Sequence, residues 1–250
     1  MRPRLPVLFW LAVTGLVVAS GASAQVRPPQ RANPAHCRTG IDYRAGSPDA
    51  VLAAAVRGRA RAYRRPGGRS FASFGRLNQN GFPTVFRVLG IRRARDCRAV
   101  WYRAQLPIRP NGATGYVRAG AVVVDRVRTR IVVDLSARRL TFFRAGRRVL
   151  RASVAVGSPA TPTPTGSYYV NQKLIPADAA GPFGPGALGI SAFSPVLRGW
   201  AQGGPVAIHG TNEPWSIGRA VSNGCIRLRN ATLRRLFAAA PAGTPVLIRA

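Results

Sequence analysis

The pattern of apolar and polar positions predicts a chain made mostly of short β-strands. Segments such as TVFRVLGI and AVWYRAQLPI combine β-branched, aromatic and other apolar residues in runs of strand length. Stretches rich in Gly, Pro and Asn, such as GRLNQNG and RPNG, separate these runs and are typical of turns. From about Ala53 to Val124 the pattern predicts a small β-barrel or sandwich, which TGYVRAGAVVV closes with a further strand.

The second half of the chain shows the same strand pattern. Residues 130–157 alternate in a way that predicts three strands joined at SARR and AGRR. PVAIHG predicts a strand that ends at His209, and TPVLIRA predicts the last strand. The segment GPFGPGALGISAFSP contains too many Gly and Pro residues to predict regular structure.

One short helix is predicted close to the C-terminal end of the sequence. Asn230 is a residue type that caps helices, and ATLRRLFAAA follows it directly. Pro241 and Gly243 then stop the helix. The predicted fold class is therefore mostly β with a single helix.

The N-terminus has the layout of a secretory signal peptide over residues 1–24. Arg2 and Arg4 precede an apolar stretch, and ASA at 22–24 is a cleavage site of the A-x-A type. The apolar stretch is marginal for a membrane span, which needs about 18 residues. An uncleaved membrane anchor is the alternative, and no stable span is expected after cleavage. The mature chain is expected in the cell wall or periplasm, with the Pro- and Arg-rich residues 25–47 as a linker or arm.

The charge of the chain is strongly basic and spread along its length. Its 38 Lys and Arg residues against 7 Asp and Glu give a formal net charge of +31, and Lys173 is the single Lys. Such a field attracts polyanions, which include nucleic acid, anionic lipid headgroups and acidic wall polymers. Because export separates the chain from genomic DNA, we expect anionic cell-wall or envelope polymers as partners and no nucleic acid.

The three Cys residues allow one disulfide and leave one thiol. Three pairings are possible, and the sequence does not decide between them on geometry. Cys37 and Cys97 both lie in the N-terminal half, so we predict a disulfide between them. Cys225 is then a free thiol in an oxidising compartment.

A second candidate for chemistry lies close to that thiol. His209 precedes Cys225 by sixteen positions, and the loop between them lets the chain fold back. Cysteine is a strong nucleophile as its thiolate, and histidine is the base best matched to neutral pH. Gly224 leaves room for a substrate carbonyl, and Arg227 falls on the same side of an extended chain as the thiol.

A metal site is not indicated by the sequence. Two His residues without a CxxC or HExxH motif provide no ligand set. The residues therefore favour chemistry that uses no metal.

IHGT followed by SNGCIRL resembles the signature of the L,D-transpeptidase catalytic domain of the YkuD type. The strands that open the second half, TPTPTGSYYV, GALGI and the closing GTPVLI support the resemblance, which covers residues 127–250. WYRAQLPIRPNGATGYVRAGAVV resembles the end of a bacterial SH3-like module. The resemblances imply an SH3-like β-barrel at 48–125, followed by an L,D-transpeptidase β-sandwich at 126–250 with a short helix after the Cys.

The same resemblance implies roles for individual residues. Cys225 would be the nucleophile and His209 its base, with a main-chain carbonyl orienting the imidazole. The best match for that carbonyl is Ser222, and Gly210 is the alternative. The backbone N–H groups of Gly224 and Cys225 would stabilise an oxyanion. The residues expected to shape the substrate site are Arg227, Asn223, Gly210 and Thr211.

The implied reaction is a 3→3 cross-link between peptidoglycan stem peptides, formed through a thioester with release of D-Ala. The resemblance implies that this reaction needs no metal and no organic cofactor. On the same fold the thioester could instead be hydrolysed, as in an L,D-carboxypeptidase, or passed to a protein. A different class of function is a non-catalytic wall-binding protein. Sortase-type enzymes place the His much further before the Cys, and NlpC/P60-type hydrolases place the Cys first, so the motif order disfavours both.

Overall fold

The computed structural model describes residues 37–47, 49–199 and 204–250. The predicted signal peptide and most of the predicted arm lie outside these ranges. The described residues form eighteen β-strands and one α-helix, which confirms a mostly β fold. Among the same residues, no helix has the length and apolar character needed to cross a membrane.

The strands fall into an N-terminal group and a C-terminal group. The N-terminal strands are β1 (Tyr43–Arg44), β2 (Val51–Val56), β3 (Arg59–Tyr63), β4 (Ser70–Gly75), β5 (Val85–Arg93), β6 (Ala99–Gln105), β7 (Thr114–Arg118) and β8 (Val122–Val127). The C-terminal strands are β9 (Thr129–Asp134), β10 (Arg139–Arg144), β11 (Arg147–Ser153), β12 (Val156–Gly157), β13 (Gly166–Leu174), β14 (Ala187–Phe193), β15 (Pro205–His209), β16 (Ala220–Ser222), β17 (Ile226–Arg227) and β18 (Pro245–Arg249). The helix α1 spans Asn230–Ala239.

The N-terminal strands form one antiparallel sheet in the order β4-β3-β7-β6-β5-β2-β8, with β1 paired to β5. Buried side chains such as Phe86 and Leu106 give this sheet a core of its own. The predicted disulfide between Cys37 and Cys97 is present. Together with β1, it attaches the end of the predicted arm to the sheet.

The segment TGYVRAGAVVV was expected to contain one strand and instead contains two. A short 3-10 turn at Ala119–Ala121 separates β7 from β8. Strand β7 pairs with β3 and β6, whereas β8 pairs with β2 at the opposite edge. The turn therefore moves the chain from one part of the sheet to another.

The C-terminal strands form a mixed sheet in the order β11-β10-β9-β18-β13-β14-β15-β17, and β12 pairs with β16 beside it. The three predicted strands of residues 130–157 appear as β9, β10 and β11, and the strand predicted to end at His209 is β15. One core takes buried side chains from strands along the whole sheet and from α1. These buried residues include Ile131, Phe142, Leu188, Ile208, Ile226 and Leu233.

The prediction that GPFGPGALGISAFSP lacks regular structure is wrong, because β14 runs through it between β13 and β15. Leu188, Ile190 and Ala192 alternate into the core, which is the period of a strand. Gly189 faces the other way, where a Cβ would stand 2.6 Å from the Cγ of Gln172. The glycine is thus required by close packing and does not break the strand.

The helix α1 confirms the predicted element, with one difference at its first turn. Leu233 and Leu236 are fully buried against the sheet core. Asn230 is the first helical residue and does not cap the helix, because its Oδ1 accepts a hydrogen bond from the backbone N–H of Thr211 at 2.8 Å. Its side chain therefore fixes the loop after His209.

The two sheets pack against each other through the outer face of β13. Tyr169 is fully buried there, and its hydroxyl donates a 3.1 Å hydrogen bond to the carbonyl of Val85 in β5. The amide of Gln105 donates to the carbonyl of Ser167 at 2.7 Å, and Asn111 exchanges two hydrogen bonds with the backbone of Phe193. Side-chain and backbone contacts thus join the N-terminal sheet to the sheet that contains His209.

We expect Tyr169→Phe to lower the free energy of unfolding by about 1 kcal/mol, because the buried carbonyl of Val85 loses its donor. Urea denaturation of the full chain measures this change. Tyr102→Phe is the matched control, since the Tyr102 hydroxyl makes no hydrogen bond to the described residues, and its effect should stay below about 0.5 kcal/mol. Equal losses in the two variants would contradict the role given to Tyr169.

Candidate active site

The candidate nucleophile and base lie on one face of two adjacent strands. Strands β15 and β17 are parallel, with Ile208 opposite Ile226 and His209 opposite Arg227. The two Ile side chains are buried in the core, so their neighbours along each strand face the other side of the sheet. His209, Cys225 and Arg227 therefore share that face. The backbone N–H of Ala207, two residues before His209, donates a hydrogen bond to the Cys225 sulfur.

Cys225 is a free, partly exposed thiol, as the sequence predicted. His209 is only 4% exposed, and the ring of Phe183 contacts it edge-on with 4.9 Å between the ring centroids. The Nδ1 atom of His209 lies 2.5 Å from the carbonyl oxygen of Gly210. A carbonyl can only accept, so Nδ1 donates and Nε2 is left as the acceptor for a proton.

The carbonyl beside the imidazole is thus that of Gly210, and the expectation for Ser222 is corrected. The Ser222 carbonyl accepts hydrogen bonds from the N–H of Ser158 at 2.9 Å and from the hydroxyl of Thr161 at 2.9 Å. The Ser222 hydroxyl donates to the carbonyl of Cys225 at 2.6 Å. Ser222 therefore holds the turn that carries the thiol and does not orient the imidazole.

The backbone donors near the thiol also differ from the expectation. The N–H of Gly224 donates to the Ser222 hydroxyl at 3.2 Å, so it is used within the turn. The N–H of Cys225 has no hydrogen-bond partner among the residues that the structure describes. Gly224 has a φ of 104°, a backbone conformation that favours glycine. Its role here is to allow the turn, and the N–H of Cys225 is the available oxyanion donor.

Two threonines, which no sequence motif marked as functional, hold this turn from outside. Both belong to the TPTPTG segment, which was predicted only as a turn before a strand. The hydroxyl of Thr163 donates to the carbonyl of Gly224 at 2.9 Å and accepts from the N–H of Gly157 at 2.8 Å. The hydroxyl of Thr161 donates to the carbonyl of Ser222 in the same way. We call Thr161 and Thr163 the threonine clamp, because together they hold the carbonyls on both sides of Asn223. The TPTPTG and SNGC segments are far apart in the chain, so neither sequence by itself indicates that the two are in contact.

The residues predicted to shape the substrate site separate into exposed and buried ones. Asn223 is exposed, beside the thiol. Thr211 is 4% exposed, and its hydroxyl accepts a hydrogen bond from the N–H of Glu213, so it supports the loop and is not placed to touch a substrate. Gly210 is likewise buried, and a Cβ on it would lie 2.4 Å from Oδ1 of Asn230.

Arg227 is held by an acidic residue that was not among the predicted site residues. One guanidinium nitrogen of Arg227 forms a salt bridge with Glu213, the single Glu of the chain. The Arg227 charge nevertheless acts on the site, because it lowers the pKa values of both His209 and Cys225. Among the described residues, no group of three or more His, Cys, Asp and Glu side chains is arranged to hold a metal ion.

Comparison with known proteins assigns the C-terminal strands and the helix to a family. A family described as the L,D-transpeptidase catalytic domain, YkuD, matches residues 128–248. A Bacillus licheniformis relative, whose name reads "Putative L,D-transpeptidase YkuD", is 36% identical over 154 residues, which cover 58% of this chain and 85% of that protein. The chain belongs to the L,D-transpeptidase family. Enzymes of this family are cysteine-dependent acyltransferases, in agreement with a free thiol beside a buried imidazole.

Other relatives of the chain have similar names. A Bacillus subtilis relative with the same name is 39% identical over 119 residues, or 47% of this chain and 64% of that protein. The NMR structure of the catalytic domain from the Enterococcus faecium L,D-transpeptidase shows 27% identity. It covers 48% of this chain and 96% of that one, with a TM-score of 0.36.

The protonation states follow from the surroundings of the two groups. Burial lowers the pKa of His209 to about 4, against the opposing effect of the Gly210 carbonyl, and the Arg227 charge lowers it further. Burial raises the pKa of the Cys225 thiol, although the Ala207 N–H and Arg227 both favour the thiolate. At neutral pH this L,D-transpeptidase therefore rests with a neutral thiol and a neutral imidazole.

We expect the acid limb of kcat/KM to lie near pH 4, because the base must be neutral and the pKa of His209 is about 4. A pH–rate profile with a peptide donor measures it. Alkylation of Cys225 by iodoacetamide should rise only at alkaline pH, since the thiol pKa is raised. In Arg227→Gln both titrations should move to higher pH, because the cation that lowers both pKa values is gone. An acid limb near pH 6.5 in the parent enzyme would contradict this picture.

Thr163→Val keeps the side-chain shape and removes both hydrogen bonds of the clamp. We expect a loss of about 1–3 kcal/mol in unfolding free energy, because the buried carbonyl of Gly224 and the half-buried N–H of Gly157 lose their partner. The alkylation rate of Cys225 and kcat should change with it. Thr165→Val, on an exposed residue of the same segment, is the control and should leave all three quantities unchanged. A fully active, equally stable Thr163→Val protein would refute the clamp.

Proposed function

We propose that this L,D-transpeptidase forms 3→3 cross-links between peptidoglycan stem peptides through a thioester on Cys225. The observation that carries the proposal is the shared sheet face of β15 and β17, which places a free thiol diagonally across from a buried, neutral imidazole. The family membership of residues 128–248 supports the same assignment.

The first half of the reaction forms the acyl-enzyme. The Cys225 sulfur attacks the carbonyl carbon of the third stem residue, a diamino acid, while Nε2 of His209 takes the thiol proton. The N–H of Cys225 lies at the nucleophile itself and stabilises the oxyanion. The imidazolium then gives its proton to the leaving nitrogen, so the C–N bond breaks and D-Ala departs. The carbonyl of Gly210 accepts from Nδ1 throughout and keeps the ring oriented.

The second half transfers the acyl group. The side-chain amine of a neighbouring stem attacks the thioester carbonyl, His209 removes a proton from that amine, and the C–S bond breaks to restore the thiol. A new amide bond replaces the one that was broken, so no ATP, metal or cofactor is consumed. Water or a protein lysine at the same step would give hydrolysis or protein anchoring. These are the alternative outcomes of the same thioester.

Arg227 and Asn223 have the positions of donor-site residues in this scheme. Asn223 is exposed next to the nucleophile, and Arg227 lies on the same sheet face with Glu213 fixing one end of its guanidinium. The cation favours binding of a stem carboxylate. The buried Thr211 supports the loop and is not included.

The location of the enzyme and the nature of its N-terminal sheet belong to the same proposal. The signal-peptide layout of residues 1–24 supports secretion to the cell wall or periplasm, where the disulfide between Cys37 and Cys97 is stable. The Trp-containing strand β6, followed by GYV in β7, supports an SH3-like module. Attachment to wall polymers is the function that such a module would add, and the strongly basic chain favours anionic ones.

The test is incubation of the purified protein with stem tetrapeptide muropeptides, followed by mass analysis. We expect a 3→3 dimer and one D-Ala released per cross-link, and neither product with Cys225→Ala. A covalent carbapenem adduct on the parent protein, absent in Cys225→Ala, reports acylation separately. Val221→Ala, a change at an exposed neighbour, is the control and should remain active.

Each alternative function gives a different result in this assay. D-Ala without a dimer identifies an L,D-carboxypeptidase. Binding to sacculi without D-Ala release and without an adduct identifies a non-catalytic wall-binding protein, and the proposed reaction is then wrong.

A further inference from the structure

A cleft of about 340 Å³ lies between the two sheets, apart from the residues that carry the reaction. It is lined by fifteen residues of the N-terminal sheet, its loops and strands β13 to β15. The volume is within the usual range of small-molecule binding sites, about 300–1,000 Å³.

The lining of this cleft carries no formal charge. None of the fifteen described lining residues is Arg, Lys, His, Asp or Glu, although the chain contains 38 basic residues. A site for carboxylate or phosphate groups would use arginine, the residue that this chain has in abundance. The ligand that fits is therefore uncharged, which disfavours the carboxylates and amines of a stem peptide.

The polar groups of the lining are side-chain amides. Asn78 and Asn80 both donate to Oε1 of Gln172, at 2.8 Å and 3.0 Å, so three amides are fixed at one place. Oδ1 of Asn171 is buried and accepts no hydrogen bond from any described residue. An amide offers both donors and an acceptor, which matches ligands rich in hydroxyl and amide groups.

Aromatic and apolar side chains complete the lining. Phe74, Phe193 and Pro205 line the cleft together with the amides. Amides next to aromatic rings suit a molecule that has hydroxyl groups at its rim and C–H groups on its face. An N-acetylated sugar has this chemistry and carries no charge.

The cleft and the thiol lie on the same face of the sheet. Along β14 and β15, Phe193 is opposite Pro205 and Gly189 is opposite Ala207, all on the face that carries His209. Pro205 is two residues, or about 7 Å, from Ala207 along the strand, and Ala207 contacts the Cys225 sulfur. Three stem residues in an extended conformation span about 10 Å, so a sugar at Pro205 places the third stem carbonyl within reach of the thiol.

We propose that this cleft binds the N-acetylated sugar to which the donor stem peptide is attached. The inference rests on the proposed function, because it assigns the remote part of the same substrate. Binding energy gained at the sugar would then hold the stem across the half-buried Ala207, next to the thiol.

The experiment compares two donors in the full-length enzyme: a disaccharide tetrapeptide and the same tetrapeptide without sugar. Ser73→Trp fills the cleft from an exposed position on β4, and Ser70→Trp makes the same change on the same strand outside the lining. We expect Ser73→Trp to lower kcat/KM about tenfold for the disaccharide donor only, and Ser70→Trp to change neither. In the parent enzyme the disaccharide donor should have the higher kcat/KM.

A binding measurement separates the inference from the reaction. Cys225→Ala is titrated with an oligomer of N-acetylglucosamine, and the side-chain amide signals of Asn78 and Gln172 are followed by NMR. We expect these signals to shift in Cys225→Ala and not in Cys225→Ala combined with Ser73→Trp.

Two results would overturn the inference while the proposed function stands: equal use of both donors, or an equal loss on both in Ser73→Trp. Amide signals that do not move at millimolar oligosaccharide would also overturn it. If neither donor reacts at all, the proposed function fails instead, and the missing turnover of the sugar-free tetrapeptide shows this directly.

Discussion

The parallel pairing of β15 with β17 is the constraint on which the active site depends. Only two residue pairs form it, and it is fixed by Ile208 and Ile226, which are fully buried in the core. Because side chains alternate along a strand, a slip by one residue would turn Cys225 into the core and move Ile226 to the substrate face. The hydrophobic core therefore sets which side chains meet the substrate. The threonine clamp holds the turn that precedes β17, and the Asn230 contact holds the loop that follows β15.

Burial gives the site a resting state of low reactivity. A protonated thiol next to an uncharged imidazole avoids the cost of two opposite charges in a poorly solvated site. The thiolate forms only when an electrophile is in place and His209 can accept the proton. For an enzyme proposed to work in an oxidising compartment, this is an advantage, since oxidation of cysteine follows its thiolate character and exposure.

Much of this arrangement was predictable from local sequence, and the reasons are physical. Strand period and turn residues were enough to predict β9 to β11 and β15, and the residues at its two ends were enough to predict α1. The positions of the Cys residues were enough to predict the disulfide. Local sequence misled where packing decides. Gly189 looked like a breaker but is needed for close contact with Gln172, and the carbonyl beside His209 belongs to Gly210. The Thr163 contact joins segments 61 residues apart, which no single sequence can reveal.

The burial of Tyr169 has a practical consequence for dissecting the molecule. The Tyr169 ring lies on the outer face of β13 and is shielded from solvent by β5. A fragment beginning near residue 128 would match the family boundary, but it would expose the Tyr169 side chain to solvent. For a fragment of the catalytic half, a polar replacement of Tyr169 is therefore the first change that we would make to limit self-association.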